Sequence, residues 1–166
     1  GADCPVFIAN KPIYAEGKGD VFTELPVPLV QKSYFALPPV GSALPPTISL
    51  SIPETLDGYW LVLVKPNDFI STREAYASVT PAPSKVSLTD VISQPVRQWK
   101  GKMVNDFEAS VFPTHPVVSG ICEQPYMLGA SYAAMSGSGS TVYGLFRQQP
   151  MLGDVFADHF QWQCRL

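Results

Sequence analysis

Tyr132-Ala133-Ala134-Met135-Ser136-Gly137-Ser138-Gly139-Ser140-Thr141-Val142-Tyr143-Gly144-Leu145-Phe146 reads as a strand, a glycine loop and a second strand. Two short β-prone runs around a Gly-containing connection pair antiparallel. The loop is also the segment with the most chemical content. Alternate glycines let backbone amides turn toward a bound group without Cβ obstruction, and three serines add hydroxyl donors. Such a loop can cradle a phosphate, or it can be a flexible β-turn. It is not a Walker A loop, because no Lys follows the last Gly, and it lacks the dinucleotide fingerprint.

Upstream, Tyr59-Trp60-Leu61-Val62-Leu63-Val64 is nearly all apolar, the pattern of a strand buried on both faces. Lys65-Pro66-Asn67-Asp68 ends it, and Ser71 or Thr72 caps a helix running to about Val79. Ser87 to Ile92 and Val96 to Val104 read as two short helices separated by Pro95. A longer helix is expected from His115-Pro116 to Leu128-Gly129, with Gly129 as its C′ residue and Pro125 kinking or shortening it. A short helix is expected near Met151 to Ala157, and Phe160 to Cys164 alternates like a final strand. Strands interleaved with helices predict an α+β fold.

Toward the N-terminus, Ile13-Tyr14-Ala15 and Val21-Phe22-Thr23 flank Glu16-Gly17-Lys18-Gly19-Asp20 as a hairpin. From Leu25 to Pro53 prolines interrupt every element, which predicts a long extended loop with a short edge strand at Thr47 to Ile52.

With 166 residues, 46% hydrophobic and 15% charged, the chain is of ordinary globular composition. A formal net charge of -3 leaves no broad cationic field, so nucleic acid is not expected as a partner. The apolar run at Tyr59 to Val64 is far too short to span a bilayer, and no basic amphipathic segment suggests a membrane surface. Cys4, Cys122 and Cys164 have no close pairing and read as free thiols in a reducing cytoplasm. The opening Gly1-Ala2-Asp3-Cys4-Pro5 shows neither a basic nor an apolar leader region. His115 and His159 have no metal-ligand spacing, so no metal site is expected.

Six segments in order carry a resemblance. Gly1 to Phe7 resembles a GAD-x-P-F-F signature, and the likeness continues through Ala15 to Asp20, Leu61 to Pro66, Ile70 to Tyr76 and Asn105-Asp106-Phe107-Glu108. It ends at Ala134 to Phe146. Together they resemble the GHMP kinases, ATP-dependent small-molecule kinases, and within them the branch acting on 4-diphosphocytidyl-2-C-methyl-D-erythritol in the non-mevalonate isoprenoid route.

The resemblance implies a ferredoxin-like C-terminal domain, an antiparallel sheet with helices on one face. It implies three regions: a seam segment at 1–28 with the catalytic Asp motif, a proline-rich insertion at 29–57 and the C-terminal domain at 58–166. Asp3 matches the carboxylate that takes the proton from the attacking hydroxyl. Gly17 and Gly19 match a turn near the substrate, and Thr72 and Tyr76 match the cytidine pocket, with Tyr76 stacking on the base. Ser136, Gly137, Ser138 and Gly139 match the third-motif loop at the active site.

In the family, two further motifs precede the Asp signature, one with a catalytic Lys and one holding the ATP phosphates. Neither precedes Asp3 here, so the resemblance implies the substrate-side part of a cytoplasmic kinase. ATP and Mg would be used by the longer parent, and this part would be inactive and without tight cofactor binding alone. The seam residues Val6, Phe7, Ile8, Ile13, Tyr14, Val21 and Phe22 would then favour self-association. The alternatives are a GHMP kinase for another small alcohol, such as homoserine or mevalonate, and a non-catalytic module binding a ligand or a partner.

Overall fold

The structure, a computed structural model, describes residues 13–16, 21–24, 56–77, 79–80 and 86–166. Asp3, Gly17, Gly19 and the expected strand at Thr47 to Ile52 lie outside them, as does nearly all of the proline-rich stretch. The chain divides into two compact units, Gly1–Thr55 and Leu56–Leu166. In the first, β1 (Ile13–Glu16) and β2 (Val21–Glu24) pair antiparallel with Ile13 opposite Glu24, as expected.

The second unit is built on a four-stranded antiparallel sheet of order β4-β5-β3-β6, with β3 at Trp60–Lys65, β4 at Tyr132–Met135, β5 at Val142–Phe146 and β6 at Phe160–Arg165. β3 enters first, the chain crosses through helices to β4, turns back as β5, and returns as β6 on the far side of β3. That order is the split β-α-β arrangement of ferredoxin-like domains. β3 is an inner strand paired on both edges, and its apolar run is continuous because both of its faces are covered, Val62 and Val64 by one core and Leu61 by the other.

Register sorts the side chains onto two faces. Val62 lies opposite Gly144 and Val64 opposite Val142, and this face packs against α1 (Thr72–Ala77), α3 (Asp106–Val111) and α4 (Pro116–Met127) through Ala75, Val111 and Val118. Burying a valine fully is worth about 1.5–3 kcal/mol, and Val62, Val64, Val111, Val118 and Val142 are each at most 1% exposed. These helices cover one face, as the resemblance implies. The opposite face has a smaller cover that the sequence did not announce. Val91 of α2 (Leu88–Ile92), Val96 and Trp99 close over Tyr59, Tyr132 and Leu145. The polar tips there are satisfied: Trp99 Nε1 donates to Gln94 O at 2.9 Å and Tyr132 OH to Met103 O at 2.9 Å.

Two expected helices differ, and one helix forms where none was expected. The helix expected at Val96 to Val104 is only a 3₁₀ turn, Val96–Gln98, because Trp99 turns into the second core and Gly101 adopts φ +74°. Residues 153–158 form turns rather than a helix. Phe156 is their one buried residue and Gly153 has φ +52°, so they lack the apolar stripe that would hold a helix down. Conversely, α3 forms where no helix was expected, because Asn105 caps it: Asn105 Oδ1 accepts from Phe107 N at 3.0 Å.

α4 follows its expected course, with Pro116 in the first turn and Gly129 at φ +92° just past its end. It stops two residues after Pro125. The proline is buried against β5, where a Cβ on Gly144 would come within 3.0 Å of Pro125 Cβ.

Candidate active site

The β4–β5 connection, Ser136 to Ser140, is closed by its own backbone. Ser136 N donates to Thr141 O at 2.8 Å and Gly139 N to Ser136 O at 3.0 Å. Gly137 (φ +54°) and Gly139 (φ +86°) occupy backbone conformations that L side chains rarely adopt. At Gly139 space adds to the requirement: a Cβ would meet Met135 Sδ at 2.6 Å and Ile70 Cδ1 at 3.0 Å. The loop amides of Gly137, Ser138 and Ser140 have no partner among the described residues, and Ser136 and Gly137 are exposed.

Two tethers hold this turn. Asn105 Nδ2 donates to Met135 O at 2.7 Å and to Gly137 O at 2.8 Å. One helical turn on, Glu108 Oε1 accepts from Met135 N at 2.8 Å. Asn105 and Glu108 therefore grip the peptide groups of Met135 from both sides, the physical content of the Asn105-Asp106-Phe107-Glu108 run. Burial pushes the Glu108 carboxyl up, and the Met135 amide partly offsets that. On the other side of the loop, buried Ser140 donates its hydroxyl to Asp68 O.

An open cleft of about 660 Å³ adjoins the loop, bordered by Lys65, Asp68, Ile70, Gly139, Ser140 and Phe160. Of the loop, Gly139 and Ser140 line it, and Lys65 and Asp68 bring one charge of each sign to its border. Among the described residues no group of three or more His, Cys, Asp or Glu could hold a metal ion. The serine hydroxyls and backbone amides of the loop are donors of the kind that phosphate oxygens accept.

Of the expected site residues, Ser136, Gly137, Ser138 and Gly139 form this loop. Thr72 and Tyr76 share the exposed face of α1, four residues apart, and do not border the cleft. Tyr76 is 63% exposed and packs edge-on against Phe107, with ring centroids 4.8 Å apart. One side of its ring is thus supported and the rest is open. Ser71, rather than Thr72, caps α1, its Oγ accepting from Glu74 N at 3.1 Å. Asn105, Glu108 and Asp68 had no role assigned from sequence, and Ser140 only that of a loop hydroxyl donor, not of a tether to Asp68. The first two had a signal, an Asn–x–x–Glu spacing ahead of an apolar run, which is a cap pattern. Asp68 and Ser140 had none, being 72 residues apart.

Comparison with known proteins gives one direction. Residues 93–152 match the family model described as GHMP kinases C terminal. The chain is 44% identical to 4-diphosphocytidyl-2-C-methyl-D-erythritol kinase of Parabacteroides distasonis, covering all of this chain and 52% of that protein. It is 46% identical to the kinase of the same name from Bacteroides fragilis, covering all of this chain and 51% of that protein. The chain thus spans about half the length of the curated relatives it matches. A crystal structure of 4-(cytidine 5'-diphospho)-2C-methyl-D-erythritol kinase shares the fold, with a TM-score of 0.56 and 22% identity over 87% of this chain and 44% of the other. No helix among the described residues is long and apolar enough to cross a membrane. The glycine loop, its tethers and these matches together identify the chain as a member of the GHMP kinase family, matching its C-terminal domain.

Proposed function

We propose that this chain is the substrate-side part of a cytoplasmic kinase that transfers phosphate from ATP to the 2-hydroxyl of 4-diphosphocytidyl-2-C-methyl-D-erythritol. The observation that carries this is the Ser136–Ser140 loop, fixed by Asn105 and Asp68, with the amides of Gly137 and Ser138 unpartnered among the described residues and Gly137 exposed. Phosphoryl transfer leaves little covalent chemistry to the protein, so fixed donors around the phosphates are what a kinase must build.

In this reading Asp3 is the general base, Gly17 and Gly19 shape the turn beside the substrate, and Thr72 with Tyr76 receives the cytosine ring. The seam segment 1–28, the insertion 29–57 and the domain 58–166 are its three regions. ATP supplies the phosphoryl group. The loop amides would contact its phosphates or those of the substrate. Because the chain spans about half the length of its relatives and matches the family's C-terminal domain, we expect the 166 residues alone to turn over no ATP, and the apolar side chains of the seam segment to promote self-association.

The test is a coupled assay of ADP release with the cytidyl substrate. The isolated chain is expected to be silent, and the polypeptide that joins these residues to the family's N-terminal half to be active. Turnover by the isolated chain, or none by the longer one, contradicts the proposal.

A further inference from the structure

His115 stands at the N-cap of α4, outside every segment of the family resemblance, and its ring lies between two carboxylates. Nδ1 is 3.0 Å from both Asp68 carboxylate oxygens, and Nε2 is 3.1 Å from Glu74 Oε1. The side chain is 12% exposed. A neutral imidazole has one N–H and one lone pair. Between two carboxylates it would set that lone pair against an anionic oxygen, whereas the imidazolium donates at both nitrogens. The geometry therefore selects the protonated ring.

Asp68 carries this state onward. Its side chain is held by His115, and its backbone carbonyl accepts the hydroxyl of Ser140, the last residue of the glycine loop. We infer that His115 is a positioning residue: its protonated ring pins Asp68, and Asp68 through Ser140 fixes the Ser136–Ser140 loop, so the order of the loop follows the charge on His115. This deepens the kinase proposal, resting on it for the loop's role in binding, although the coupling is a property of the fold alone.

The titratable groups facing the ring are Asp68 from the β3–α1 connection and Glu74 from α1. The first turn of α4, Pro116-Val117-Val118-Ser119, and the preceding Phe112-Pro113-Thr114 contribute none. The positive end of α4 opposes a charge on His115. Two carboxylates in hydrogen-bond contact outweigh it, and they hold the His115 pKa above the ordinary histidine value.

The test is amide exchange by NMR at Ser136 and Gly139, whose N–H groups close the loop, expressed as protection factors across pH 6 to 9. The His115 ring shifts are followed in the same samples. Protection is expected to fall by about tenfold as the ring deprotonates, on the scale of one lost hydrogen bond. His115→Gln, a neutral side chain that still donates, should show lower protection at pH 6 and no step, while His159→Gln keeps the step. A step that persists in His115→Gln, or flat protection in the unsubstituted chain while His115 titrates, overturns the inference. The readout requires neither ligand nor turnover, so a failed kinase assay would leave it standing, and the reverse holds as well.

Discussion

The Asn105 side-chain amide lies 2.8 Å from the carbonyl of Gly137, across 32 residues of sequence, and its oxygen caps the helix that follows. One residue thus starts α3 and fixes the glycine loop. Asn105→Ser keeps a capping oxygen and loses the loop tether, whereas Asn105→Ala loses both. A lost cap costs about 0.5–2 kcal/mol, and a stranded carbonyl adds about 1–3 kcal/mol. Urea denaturation should rank the unsubstituted chain above Asn105→Ser and that above Asn105→Ala. Equal loss in the two variants would remove the capping half of this account.

The two loop glycines should respond differently to alanine. Gly137→Ala meets open space and carries only the left-handed backbone penalty, about 1–2 kcal/mol. Gly139→Ala carries that penalty and also drives a methyl against Met135, which is 2% exposed and has little room to withdraw. Overpacking adds about 1–3 kcal/mol. Denaturation midpoints should fall in that order, and a Gly139→Ala variant as stable as Gly137→Ala would show that the sulfur gives way.

Stability should depend on pH through His115. Its folded pKa is raised, so the folded state binds the proton more tightly than the unfolded chain does. The stabilisation is complete below the unfolded value of about 6.5 and is lost as pH rises through the raised folded value. Thermal midpoints of the unsubstituted chain should therefore decline over that window relative to His115→Gln. Parallel profiles for the two would contradict the assignment of the ion pairs.

Cys122 is buried in the first core beside Glu108, and burial pushes its thiol pKa up to about 12. Cys164 on β6 is only partly covered. Both are free thiols. Alkylation at neutral pH, read by peptide mass, should label Cys164 in the native chain and Cys122 only after unfolding. Labelling of Cys122 at the rate of Cys164 would mean that the α4–sheet contact opens readily.

The sheet was legible because its signals are local. Tyr59 to Val64 is apolar enough to read as an inner strand, and the two runs flanking Ser136 to Ser140 read as neighbours. α4 was marked at both ends by Pro116 and Gly129. What the sequence hid depends on distant pairing. Val96 to Val104 has helix-like spacing, yet Trp99 is claimed by Tyr132, at 5.7 Å between ring centroids, and the helix gives way. The loop glycines were visible by composition alone. Their tethers were not, since Asn105 and Ser140 act on partners 30 and 72 residues distant. Asp3, Gly17 and Gly19 rest on the resemblance and lie outside the described residues.

The central claim is that these residues complete a kinase active site with Asp3 as its base. The most direct measurement is ADP release with 4-diphosphocytidyl-2-C-methyl-D-erythritol by the longer polypeptide and by its Asp3→Asn variant. Removing a general base costs about 10²–10⁴-fold in rate, so the variant should lose turnover on that scale while binding of the cytidyl substrate, measured by calorimetry, changes little. Turnover retained within about threefold in Asp3→Asn would contradict the account, and so would phosphorylation of homoserine or mevalonate in preference to the cytidyl alcohol.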